Sequence, residues 1–91
     1  MTFMVLHLDT DDYDTWKRLF DSDPAGRRQV AKGHIILRGV DNPNEVFVRA
    51  EFASVEEAKS FRERLLASGA LDAARVKTQP TVVEIAEAVT Y

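Results

Sequence analysis

Residues 34–52 read HIILRGVDNPNEVFVRAEF, and the punctuation of this stretch decides the fold. Two β-rich runs, His34–Val40 and Glu45–Phe52, flank Asp41-Asn42-Pro43-Asn44. Asn and Asp favour turns by bonding to their own backbone, and Pro favours them by fixing φ. Two strands around so short a turn form a hairpin. In the second run Val46, Val48, Ala50 and Phe52 line one side, while Phe47, Arg49 and Glu51 line the other.

Upstream of the hairpin, Asp21–Gly33 is a long polar connection containing Pro24, Gly26, Arg27 and Arg28. A connection of this length is often functional or mobile. Its middle, Arg27–Lys32, can form a short helical turn. Before it, Tyr13, Trp16, Leu19 and Phe20 recur at helical spacing, with Lys17 and Arg18 turned away. Asp11 or Asp12 can accept hydrogen bonds from the free N–H groups of that helix start. The helix must end before Pro24, because the residue preceding proline avoids helical angles. Thr2–Leu8 is an apolar run of strand length, with Met4, Leu6 and Leu8 on one side and Phe3, Val5 and His7 on the other.

Downstream, Ser54-Val55-Glu56-Glu57 is a capping box. Ala58, Phe61 and Leu65 follow at helical spacing, with Arg62, Glu63 and Arg64 outward, and Gly69 ends the helix. Leu71–Ala74 is a connector. Arg75–Tyr91 contains the last strand, which Pro80 is expected to divide, leaving Val82–Val89 as the larger piece. The order is strand, helix, strand, strand, helix, strand. The expected fold is therefore α+β, a ferredoxin-like βαββαβ unit with a four-stranded antiparallel sheet, spanning residues 1–91 as a single domain.

Two helices cover only one face of such a sheet. Met4, Leu6 and Leu8, with Ile35, Leu37, Val46, Val48 and Phe52, are expected to face the helices. Phe3, Val5, His7, Ile36, Arg38, Val40, Phe47, Arg49, Glu51, Val82 and Glu84 are then expected on the open face. That set is too apolar for free solvent, and contiguous exposed apolar area marks an interface. A face-to-face homodimer would bury it. With strand one between strands three and four, His7 is expected near Glu51 or Arg49 on one flank and Glu84 on the other.

The bulk numbers exclude several function classes. The 91 residues carry a net charge of −3, and Lys and Arg are scattered among Asp and Glu, so the basic patch of a nucleic-acid binder is missing. No apolar stretch approaches the ~20 residues that span a bilayer. Met1–Leu8 lacks the charged start and cleavage site of a signal peptide, so a cytoplasmic location is the default expectation. With no cysteine, thiolate catalysis, disulfides and Cys-ligated metals are ruled out.

His7 can serve as a general acid or base, since imidazole titrates near neutral pH, or as a hydrogen-bonded interface histidine. His34, at a strand start, has a weaker claim to catalysis. Two histidines with a carboxylate can bind a divalent metal, but no close i, i+2 or i, i+4 spacing of ligands is read here, so no metal site is expected. Trp16 with Tyr13 and Phe20 can wall a pocket for an aromatic ligand or simply be core. Tyr13 keeps a hydroxyl that can contact a substrate. Arg38, Arg49, Glu51 and Glu84 can bind an acidic or enolic substrate, or form ion pairs that fix dimer register. Arg27 and Arg28 can clamp an anion or lie in a solvated loop. Phosphate loops and serine-nucleophile motifs are absent.

Tyr13-Asp14-x-Trp16-Lys17-x-x-Phe20-Asp21, a glycine before strand two, Asp41-Asn42-Pro43-Asn44, Glu51-Phe52 and a helix beginning Ser54-x-x-Glu57-Ala58 together resemble small dimeric α/β-barrel proteins. The chain is similar over nearly its whole length to the antibiotic-biosynthesis-monooxygenase-like group and related bacterial proteins. The shared motifs are mostly turns and helix-packing positions, so they speak to fold more than to chemistry. The resemblance implies two subunits whose sheets pack into one barrel, and a small-molecule cavity between sheet and helices or within the barrel. Such groups include cofactor-free oxygenases, haem-degrading enzymes and proteins of no known activity, and a shared fold does not choose among them. Haem degraders place a histidine ligand on the second helix. Here the histidines are His7 and His34, which disfavours haem.

Two functions follow as expectations. One is binding, or cofactor-independent oxygenation or rearrangement, of a small aromatic, polyketide-like molecule, with His7 moving a proton and Trp16 and Tyr13 holding the ring. No metal, flavin or haem is then needed, because an enolate-forming substrate can itself pass the electron to oxygen. The other is a non-enzymatic homodimer whose polar inner face serves assembly alone.

Overall fold

A computed structural model describes residues 1–91. In chain order the elements are β1 (Thr2–Asp9), α1 (Tyr13–Asp21), α2 (Arg27–Val30), β2 (Gly33–Arg38), β3 (Glu45–Phe52), α3 (Val55–Ala67), a 3₁₀ turn (Ala70–Ala73) and β4 (Arg75–Glu84). The strands form one antiparallel sheet in the order β2-β3-β1-β4, with β1 between β3 and β4 as the ferredoxin-like order requires.

Local chemistry explains the helix ends. Asp12 caps α1, its carboxylate accepting the backbone N–H of Thr15 at 3.2 Å. Ser54 caps α3, its Oγ accepting the N–H of Glu57 at 3.1 Å. Each satisfies a donor that the helix cannot use internally. After α3 the chain leaves the helix through Gly69 at φ 74°, a left-handed conformation that glycine adopts without steric cost.

The core lies between the sheet and the helices. Met4, Leu6 and Leu8 of β1 stand opposite Ala50, Val48 and Val46 of β3 and pack with Phe52, Ala58, Phe61 and Trp16. Phe52, Met4, Leu8 and Val46 are the largest fully buried side chains. Burial of each contributes about 1.5–3 kcal/mol.

Strand β2 faces the opposite way from the expectation. Ile36 stands opposite Val48 and Arg38 opposite Val46, so His34, Ile36 and Arg38 are on the helix side and Ile35 and Leu37 on the open side. Ile35 and Leu37 are 44% and 56% exposed, whereas Ile36 packs against the core. The cause is the hairpin. A four-residue turn over 41–44 would pair Val40 with Glu45, but Gly39 already donates its N–H to the Glu45 carbonyl at 2.9 Å. The pairing moves by one residue, and a one-residue slip exchanges the faces. Gly39 is required there: a Cβ would lie 2.6 Å from the Asn42 carbonyl oxygen.

Strand β4 also departs from the expectation. It runs unbroken through Pro80 and stops at Glu84, while Ile85–Tyr91 is exposed and irregular. Val5 pairs with Thr81 but His7 with Thr78, so an extra residue bulges out around the buried Pro80. An edge-strand bulge accommodates a residue that has no N–H to donate. Val82 pairs with Met4 and Glu84 with Thr2, which moves both from the expected open face to the helix side.

Candidate functional site

A partly open apolar recess lies between the sheet and the helices. Its floor is Met4, Leu6, Leu8, Val48 and Ala50; Trp16, Leu19, Phe20, Phe61 and Leu65 wall it. The recess holds a cavity of about 60 Å³ behind an open mouth. The deep part therefore takes only a few atoms, and the rest of a ligand would stand in the mouth. Trp16 reaches the wall because α1 turns its apolar stripe inward, with Tyr13 and Phe20 tilted against it at 5.9 and 5.2 Å between ring centres.

Two charged side chains line this otherwise apolar recess, Asp23 and Arg27. Arg27 is 6% exposed, which corrects the expectation that it lies in a solvated loop; Arg28 beside it is exposed. The Arg27 Cζ sits 3.8 Å from the Phe20 ring centre, and its Nη1 donates to the Phe20 carbonyl at 3.3 Å. Burial, and then Arg28, draw its pKa below the ordinary value, while Asp23 opposes the shift. Asp23 sits just past the end of α1 with φ 58°, a region that aspartate tolerates better than most residues. One of its oxygens accepts the Arg28 N–H at 3.1 Å; the other lies 3.7 Å from Arg27 Nη1, too far for a hydrogen bond. Arg27 Nη2 and Asp23 Oδ1 are thus a buried donor and a buried acceptor without partners.

His7 lies on the other face of the sheet. It stacks on Phe47 with ring centres 4.1 Å apart, and its Nε2 is 3.1 Å from Glu45 Oε1 without the alignment of a hydrogen bond. The carboxylate beside His7 is therefore Glu45 and not Glu51 or Glu84, while Arg49 lines an open-face groove together with His7. Asp9 joins the group: His7, Asp9 and Glu45 each bring a potential ligand atom within 4.8 Å of the others. Lys77 Nζ neutralises Asp9 at 3.3 Å. His7 and Asp9 are an i, i+2 pair on one face of β1, which corrects the expectation that no such ligand spacing occurs, and Glu45 joins them through its pairing with Asp9.

The remaining candidates are dispersed. Arg38 stacks its guanidinium 3.8 Å from the Tyr13 ring centre and donates Nε to the Pro43 carbonyl at 2.8 Å, both outside the recess. Arg49 approaches the Phe3 ring on the open face, where Glu51 pairs across from Phe3. Glu84 is exposed at the end of β4. The four charges make no ion pairs with one another. His7 and Trp16 lie on opposite sides of the sheet, so within one chain they do not share a pocket. Asp23 and Arg27 are the charged groups that share the recess with Trp16; their i, i+4 spacing in the polar connection is the sequence signal for them.

The backbone resembles several solved structures. SnoaB, a cofactor-independent oxygenase from Streptomyces nogalater, superposes with a TM-score of 0.75 over 99% of this chain and 97% of that one, at 14% identity. A candidate antibiotic biosynthesis monooxygenase from Deinococcus radiodurans gives 0.64 over 100% and 98%, at 13% identity. Another from Nitrosomonas europaea gives 0.64 over 90% and 85%, at 14% identity. No protein-family model and no curated protein sequence matches the chain. The chain thus has the ferredoxin-like fold of the antibiotic-biosynthesis monooxygenases, and at these identities the likeness concerns fold alone.

Proposed function

We propose that this chain binds a small, largely apolar ring molecule in the recess beside Trp16 and works as a homodimer closed across its open sheet face. The recess carries the reading: it is concave and apolar, and its few polar groups converge at one end, as in ligand sites generally. The reaction class favoured by the fold likeness is cofactor-independent oxygenation. A bound substrate loses a proton to become an enolate, and one electron passes from the enolate to dioxygen. The two radicals then join through a C–O bond, the peroxide anion takes back the proton released at the start, and the hydroperoxide loses water together with the remaining hydrogen of that carbon to leave a ketone. No metal, flavin or haem takes part in that sequence.

The dimer reading rests on the apolar side chains left on the bare face, including Ile35, Leu37, Phe3, Val5 and Phe47. In this arrangement His7, Arg49 and Glu51 line the barrel interior, and the His7–Glu45 pair serves assembly. Catalysis by His7 would require a substrate between the sheets, and substrate contacts by Tyr13, Arg38 and Glu84 a ligand extending beyond the recess. The purely structural homodimer is the second reading, favoured by the small volume of the deep recess.

The test is oxygen uptake by chelator-treated protein with enolisable aromatic ketones, alongside sedimentation velocity. Uptake that is lost in Trp16→Ala while Trp16→Phe retains it supports oxygenation. A dimer that neither binds nor consumes oxygen supports the structural reading, and a monodisperse monomer overturns the dimer.

A further inference from the structure

We infer that Asp23 and Arg27 select a neutral ligand head carrying a hydrogen-bond donor beside an acceptor, and reject carboxylates; this rests on the recess being a ligand site. Arg27 Nη2 and Asp23 Oδ1 are buried without hydrogen-bond partners at the edge of the recess that both residues line, closed off even from a water-sized contact, so a ligand reaches them by parting the 3.7 Å Asp23–Arg27 contact. One atom is a donor and the other an acceptor. Buried polar groups without partners are costly, and a ligand that satisfies both removes that cost.

The chemistry of the pair determines the head group. Arg27 Nη2 donates, so it needs a carbonyl or similar oxygen. Asp23 Oδ1 only accepts while ionised, so it needs an O–H or N–H. A carboxylate would satisfy Arg27 but set a second negative charge against Asp23, and like charges in a poorly solvated site repel strongly. The long 3.7 Å separation of Asp23 Oδ1 from Arg27 Nη1 leaves the two charges close enough to neutralise one another without using these hydrogen-bonding sites. A hydroxy-carbonyl group and a primary amide or lactam share the required pattern. The apolar walls take the rest of the molecule, and Arg27 is already held in place by the Phe20 ring and carbonyl.

The chain has a single tryptophan, and it borders the recess, so its indole N–H signal in a proton–nitrogen NMR spectrum reports occupancy. The probes are benzamide, ortho-hydroxyacetophenone, benzoate and toluene. The first two distinguish the amide and hydroxy-carbonyl sources of the pattern, and saturable binding of either, at least about tenfold tighter than benzoate and toluene, is expected. Arg27→Met and Asp23→Asn should each abolish the preference over toluene while toluene still binds, and Asp23→Asn should raise benzoate affinity. Equal binding of all four probes, or a preference for benzoate in the unmodified protein, overturns the inference and leaves the recess a ligand site. Absence of any shift, toluene included, overturns the ligand site itself.

Discussion

His7 and Phe47 face each other across the β1–β3 ladder, with their rings stacked 4.1 Å apart and only 14° from parallel. The pair stands on the bare side of the sheet, next to Leu37 across the β3–β2 ladder. An aromatic pair contributes about 0.5–1.5 kcal/mol beyond its area burial. Both rings are half-buried in the single chain, and a second sheet laid over them would complete their burial.

If the face closes a homodimer, Phe47→Ala should weaken association by about 2–4 kcal/mol, a value typical of an interface anchor. Concentration-dependent sedimentation measures it. His7→Ala should weaken the dimer in the same direction. An intact dimer that loses turnover would instead assign His7 to catalysis.

Truncating the recess wall should cost stability first. Trp16 is 7% exposed and packs against the β1–β3 floor, so Trp16→Ala is expected to lower unfolding free energy by about 3–5 kcal/mol in urea titration. Trp16→Phe keeps part of the packing and should cost less.

Gly39→Ala puts a methyl group against a backbone oxygen that has little freedom to retreat, because Asn42 also accepts the Glu45 N–H at 3.0 Å. A loss of about 1–3 kcal/mol is expected, as for overpacked sites. Amide exchange should show it concentrated in the β2–β3 hairpin.

Ser54→Ala removes the acceptor of the Glu57 N–H and should cost about 1 kcal/mol. For a domain of this size that lowers Tm by about 4–8 °C, measurable by calorimetry.

His34 supplies a pH test. It meets the Phe20 ring edge-on, with 5.0 Å between ring centres. Burial foremost, and then the positive charges of Arg27, Lys17 and Arg28 outweighing Asp21, draw its pKa below the ordinary value. The folded state thus prefers the neutral ring, and the unfolded state binds the proton more readily. Its contribution is fully present above the unfolded value of about 6.5, and falls away as pH drops from there through the folded pKa. Urea midpoints measured across that window should decline with acid less steeply in His34→Gln than in the parent.

Local chemistry was enough to read the element order, the cap at Ser54, the α1 cap to within Asp11 or Asp12, the stop at Gly69 and the alternation of β1 and β3. Each rests on residues within a turn or two of one another, and β1 and β3 announce their buried side by an unbroken apolar set. The facing of β2 was not legible, because His34–Arg38 is apolar on both sides in its middle and the hairpin's hydrogen bonds, set by Gly39, decide the register. Pro80 marked irregularity but not its form: pairing with β1 lets the strand continue past it as a bulge. The site followed the same division. Trp16 was visible as part of an apolar helical stripe, whereas the orphaned Asp23–Arg27 pair emerges only when the connection folds back over that stripe. Glu45 likewise meets His7 through strand register. Short-range signals name the elements, but which charges end up buried, and beside what, depends on contacts between residues far apart in the chain.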